Sequence, residues 1–215
     1  LDESSMRRIQ IRETIKSHLE KESRLYSRGI KVLSLFFIDE VAKYKQYDSQ
    51  NNPYNGDYAQ IFEEEYVSQV RQFLRTQEPS KYYRYLESHI DANAVHAGYF
   101  SVDKVKKSDK TVFVDYKSAS EKKSNSSNDK DAYDLIMKDK ERLLSFDEPV
   151  RFLFSHSALK EGWDNPNVFQ IATLRQSSSD IKKRQEIGSG LRLSINQNGE
   201  RQDAQVLGEN EVQQL

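Results

Sequence analysis

Apolar positions along the chain fall into helix-like and strand-like runs. From Ser4 to Arg28, Met6, Ile9, Ile15, Leu19, Leu25 and Tyr26 recur near helical spacing, and Gly29 follows where a helix C-cap belongs. KVLSLFFID is rich in β-formers with little polar interruption, the pattern of a buried strand. NNPYNGD is a loop, because Pro53 and the Asn55 and Gly56 pair are turn chemistry. From Asp57 onward, Tyr58, Ile61, Phe62, Tyr66, Val70, Phe73 and Leu74 trace one side of a long helix. A shorter, tyrosine-rich helix fits Ser80 to Ser88.

The second half repeats the alternation. AVHAGYFSV and TVFVDYK read as two strands, and the charged connector between them suggests a hairpin. Lys117 to Lys130 has Ala119 as its only apolar residue and reads as a mobile loop. The pattern predicts a helix from about Asp131 to Leu144 with Leu135, Ile136, Leu143 and Leu144 buried. VRFLFSH is a strand, Ala158 to Asn167 a short helix or loop ended by Asn165 and Pro166, and VFQIATL another strand. Ser179 to Leu191 reads as helical, and the carboxyl-terminal residues are polar and poorly patterned. Strands alternating with helices predict an α/β domain around a mostly parallel sheet.

Composition narrows the function classes. The chain has 215 residues, 33 basic against 34 acidic side chains and a net charge of −1, which argues against a protein that coats nucleic acid through uniform positive charge. Charge is local instead: Lys104 to Lys110 and the trio Lys182, Lys183 and Arg184 are basic, and Glu63, Glu64 and Glu65 are acidic. Each cluster taken alone reads as a solvated face. No cysteine is present, so disulfides, thiolate metal sites and Cys nucleophiles are excluded and a reducing, cytoplasmic setting is expected. No apolar run approaches the roughly 20 residues of a membrane span. The four histidines, His18, His89, His96 and His156, lack the spacing of a zinc site.

Candidate chemistry lies where strands end, since open α/β sheets place ligands at the carboxyl ends of their strands. After VRFLF come Ser155, His156 and Ser157, then Gly162 and Asp164. Small hydroxyl residues at a strand end can accept a phosphate, and a glycine lets backbone approach a ligand closely. An ordinary strand-to-helix turn accounts for SHS alone equally well. In QEIGSGLRL, a helical turn of about 100° per residue puts Gln185, Ser189 and Arg192 on one face and Ile187 and Leu191 on the other. An arginine presented this way suits a γ-phosphate, because its planar fork bonds two oxygens and offsets developing charge. The spacing also fits a surface helix with an unremarkable arginine.

The strings KVLSLFFIDEVAKY, HAGYFSVDK, DAYDLIMKDKERLLSFDEPVRFLFSHSALKEGWDNPNVFQIATL and KKRQEIGSGLRL resemble the restriction (Res) subunit of type III restriction-modification enzymes, a superfamily 2 helicase-like ATPase. The resemblance implies a RecA-like three-layer domain, the second motor lobe, with a mostly parallel central sheet and a small β-hairpin insertion. It divides the chain into a helix over 1–29, the lobe over 30–196 with the insertion at about 95–130, and a polar tail over 197–215. Ser155 to Asp164 looks like motif V. There the family's pattern implies DNA contact for Ser155, His156 and Ser157, and a place near the nucleotide for Gly162 and Asp164. Gln185 to Arg192 looks like motif VI, which implies that Gln185, Gly188, Ser189 and Arg192 face ATP and that Arg192 acts in catalysis.

The resemblance also implies ATP and Mg²⁺ bound mainly by a separate first lobe, with double-stranded DNA and the modification (methyltransferase) subunit as partners. One departure stands out: the family reads QEIGRGLRL, and this chain has Ser189 at the first arginine. A GxxxxGK[ST] phosphate loop is lacking, so this stretch is expected to be inactive alone. Two other readings compete: the lobe of another superfamily 2 DNA or RNA helicase, and a docking module for the methyltransferase subunit through Tyr82, Tyr83 and Tyr85.

Overall fold

The computed structural model describes residues 2–100, 127–155, 165–174 and 194–207. Helix α1 (Glu3–Leu25) starts at Asp2, whose carboxylate accepts the Ser5 amide at 2.8 Å as an N-cap. A 3₁₀ turn over Tyr26–Arg28 follows, and Gly29 takes a left-handed φ of 72°, the expected C-cap conformation. Strand β1 (Leu33–Phe37) comes next, then the short hairpin of β2 (Lys45–Tyr47) and β3 (Pro53–Asn55). Helices α2 (Asp57–Arg75) and α3 (Lys81–Ser88) lead to β4 (His96–Tyr99). After α4 (Ser127–Met137) and α5 (Lys140–Leu144) come β5 (Phe152–Ser155) and β6 (Val168–Thr173). A second hairpin, β7 (Ser194–Ile195) with β8 (Arg201–Gln202), and the turn-length α6 (Ala204–Leu207) complete the described elements.

The central sheet has the order β4-β5-β1-β6, and every neighbouring pair is parallel. Both faces are covered. Phe36 and Ile38 at the end of β1, with Phe152 and Phe154 of β5, pack under α1, α2 and α3. The alternate residues Leu33, Leu35, Phe37 and Leu153 pack under α4 and α5 with Leu135, Ile136 and Leu143. Coverage on both sides explains why the strands read as continuous apolar runs, and it makes the fold the expected three-layer α/β arrangement.

Several local expectations shift. The buried stripe of α1 runs through Ile11, Ile15, His18, Leu19, Glu22 and Leu25, while Met6 and Ile9 are exposed. The NNPYNGD stretch is not all loop, because Pro53–Asn55 pairs antiparallel with Lys45–Tyr47. Strands this short carry no visible periodicity. Helix α4 begins at Ser127, inside the expected loop, and Asp139 caps a separate α5 by accepting the Arg142 amide. Near the carboxyl terminus, in sequence that is poorly patterned, residues 194–202 form the β7 and β8 hairpin, and Leu207 is buried against Leu25, Ile30 and Phe169. Within AVHAGYFSV, β4 joins the main sheet beside β5; its expected partner TVFVDYK, and the helix expected over Ser179 to Leu191, lie outside the described residues. Among the described residues no helix is long and apolar enough to cross a membrane.

Candidate functional site at the carboxyl edge of the sheet

The connection from β1 runs toward β4 and the connection from β5 runs the other way to β6, so the switch point where open α/β sheets bind ligands lies between the carboxyl ends of β1 and β5. Ser155 ends β5 at this edge, in register with Phe37 of β1 and Tyr99 of β4, and its carbonyl accepts the Ile38 amide at 2.9 Å. Its residue is 1% exposed, so the fold encloses it. On the other side of β1, the Leu174 amide donates to the Phe37 carbonyl at 2.7 Å. The sheet therefore brings together the points from which both motif segments depart, after Ser155 and after Leu174. His156, Ser157, Gly162, Asp164, Gln185, Gly188, Ser189 and Arg192 lie outside the described residues.

Helices α1 and α2 frame the same edge with their amino ends. Gly56, the N-cap of α2, makes no side-chain cap bond, and a Cβ there would come within 2.2 Å of the Ala42 carbonyl oxygen. Only glycine allows the Val41–Lys43 turn to pack so tightly against the helix start. Tyr58 is buried in the first turn of α2, and its hydroxyl donates to the Leu174 carbonyl at 3.4 Å. Burial, and then the nearby Asp39 charge, raise the Tyr58 hydroxyl, while a hydrogen bond from Arg7 opposes them. Lys43 sits 5.8 Å from the centre of the Tyr58 ring. This edge thus gathers Arg7, Lys43 and Tyr58, none of which was a candidate site residue in the sequence.

Acidic residues that read as a solvated face are instead tied down. Glu65 is buried between Arg8 and Arg12, with contacts of 2.8–3.0 Å, and these pairs join α2 to α1. Bonds from Arg12, set against burial and helped by Arg8, hold its carboxyl below the usual range. Glu63 accepts from Asn55 at 2.8 Å and meets His96 Nε2 at 3.0 Å, while His96 Nδ1 lies 2.8 Å from the Tyr44 hydroxyl. This chain of groups fixes the base of the β2 and β3 hairpin against α2.

At the opposite, amino edge lies a charged network that periodicity did not reveal. Glu22 of α1 and Arg151, just before β5, form an ion pair with no solvent exposure on either side chain. Tyr82 donates to Glu22 at 2.7 Å, Arg151 donates to the Tyr66 hydroxyl, and Tyr66 donates to the His89 carbonyl at 2.7 Å. Lys31, also buried, donates to the carbonyls of Ser145 and Glu148. The signal was present: Lys31 and Arg151 interrupt apolar runs, and His18 and Glu22 occupy the stripe of α1 that otherwise holds Ile11, Ile15, Leu19 and Leu25. A charged residue on a buried stripe calls for a partner.

No family model matches the chain. Among curated proteins, it is 40% identical over 190 residues to the EcoP15I Res subunit of the type III restriction-modification enzyme of Escherichia coli, covering 87% of this chain and 17% of that protein. The EcoPI Res subunit from Escherichia phage P1 is 42% identical over 190 residues, with the same shares covered. The StyLTI Res subunit from Salmonella typhimurium is 33% identical over 220 residues, covering 92% of this chain and 20% of its own length. The chain therefore spans 17–20% of the length of these relatives. With this identity spread across nearly the whole chain, the chain belongs to the Res subunit family of type III restriction-modification enzymes.

Proposed function

We propose that this chain is the second motor lobe of a type III Res subunit, contributing to ATP-dependent movement or switching on DNA that licenses double-strand cleavage. The observation that carries the reading is the common edge: the segment after Ser155 bears the motif V string, the segment after Leu174 bears the motif VI string, and β1 between them holds both exits. In this reading Ser155, His156 and Ser157 serve the DNA side. Gly162, Asp164, Gln185, Gly188, Ser189 and Arg192 serve the nucleotide side, with Arg192 offsetting charge on the transferring phosphoryl group.

ATP supplies the phosphoryl chemistry and Mg²⁺ its charge neutralisation, both held mainly by residues outside this chain. Duplex DNA and the modification subunit are the partners, and the cytoplasm is the setting. Burial of Tyr82 and Tyr85 in the core, at 8% exposure each, weighs against a docking module built on those rings. The purified chain alone is expected to hydrolyse no ATP and cut no DNA, whereas the complete Res subunit with its modification partner cleaves DNA only with ATP. Hydrolysis by the isolated chain that Arg192→Ala abolishes would overturn this division of labour.

A further inference from the structure

We infer that Asn167 is a positioning residue that joins the two motif-bearing segments at their far ends, setting how strongly DNA stimulates nucleotide hydrolysis. The inference rests on the motor-lobe reading. Asn167 is completely buried at the amino end of β6. Its Nδ2 donates to the Ile195 carbonyl at 2.9 Å, and its Oδ1 accepts the Ile195 amide at 2.8 Å. The side-chain amide thus makes both bonds that a neighbouring strand would make, which needs one donor and one acceptor in a single plane.

Asn167 is itself anchored. Its carbonyl accepts the Leu33 amide of β1 at 2.8 Å, and its amide donates to Oδ1 of Asn165, which is 1% exposed. The β7 strand pairs with β8 and not with the central sheet, so Asn167 supplies its join to the sheet. Gln197 adds a second hold on the adjoining turn, donating to the Leu144 carbonyl at 2.7 Å and accepting the Phe146 amide at 3.1 Å.

The placement within the chain gives this join its consequence. In sequence, the motif V string ends at Asp164 and the motif VI string at Arg192. Asn167 stands three residues past the first, and Ile195 three residues past the second. One buried amide therefore ties the stretch assigned to DNA to the stretch assigned to nucleotide. Packed hydrogen-bonded groups of this kind carry coupling between sites.

The test uses the complete Res subunit in complex with its modification partner, assayed for ATP hydrolysis with and without duplex DNA. Asn167→Ser is expected to leave the DNA-free rate and the KM for ATP within about twofold of the parent while the stimulation by DNA falls about fivefold or more. A residue with only a structural role would lower both rates in proportion, and that result, or unchanged stimulation, overturns the inference. A measurement on the unaltered complex covers the case in which the variant fails to assemble. Hydrogen exchange at the Ile195 amide is expected to slow about threefold or more when duplex DNA is added, and unchanged exchange overturns the inference as well. Arg192→Ala run in parallel separates the two layers. If ATP hydrolysis survives that change, the motor-lobe reading fails; if it is abolished while Asn167→Ser keeps full stimulation, the role of Asn167 alone fails.

Discussion

Arg151 Nη1 donates to Glu22 Oε2 across 2.5 Å in a site that solvent does not reach. The pair ties α1 to the start of β5, the strand that carries Ser155, and Tyr82 and Tyr66 extend it to α3 and α2. Removing one partner leaves the other charge buried and uncompensated. Glu22→Met and Arg151→Met are each expected to cost about 3–5 kcal/mol in urea unfolding, with the double variant that combines them costing clearly less than the sum. Additive costs would show that the two charges do not depend on each other.

The same network sets a pH dependence in two windows, and stability rises with pH across both. Burial would raise the Glu22 carboxyl, but Arg151 and then His18 overcome it and hold it at about 2, below the usual carboxylate value. The unfolded chain then binds the extra proton first, so stability present above about pH 4.5 is lost as pH falls toward 2. Glu22→Gln should flatten that acid limb in thermal melts.

Lys31 acts with the same sign in a higher window. Burial, and then the Arg151 charge, push its ammonium down to about 7, against the pull of Glu148 and Glu22. Between pH 7 and about 10 the unfolded chain carries the proton that the folded chain has shed, so this group makes stability rise with pH across that window. Melts of the parent and Lys31→Met from pH 7 to 9.5 check it; the rise should be smaller in the variant.

Tyr82→Phe keeps the ring in the core and removes the bond to Glu22. A loss of about 1.5–3 kcal/mol is expected, since the acceptor is charged. Capture of the modification subunit in a pull-down should be unchanged, and a selective loss of capture without loss of stability would revive the docking reading.

Gly56→Ala forces a methyl group into the Ala42 carbonyl at the start of α2. The expected cost is about 1–3 kcal/mol, read as a lowered melting temperature.

Much of the fold was legible because its strands are covered on both faces: LSLFF and FLFS are buried at every position and apolar except at Ser34 and Ser155, and α2 has an apolar stripe from Tyr58 to Val70. Gly29 and Ser80 marked helix ends through chemistry that acts locally. Features set by distant contacts were not legible. Nothing local in KVLS says that Lys31 reaches the carbonyls of Ser145 and Glu148, or that Asn167 serves as a strand partner to Ile195. The hairpins of β2 with β3 and β7 with β8 are too short for alternation to show. Of the candidate site, Ser155 lies at the end of a strand that the VRFLFSH run made legible, and the enclosing fold around it could not be read from SHS.

DNA-stimulated ATP hydrolysis by the complete Res subunit with its modification partner, compared between the parent and Arg192→Ala, decides whether this chain is a motor lobe. The motor-lobe account predicts a fall of about 10³-fold in the stimulated rate with the complex still assembled and bound to DNA. An Arg192→Ala complex that hydrolyses ATP at the parent rate would contradict it.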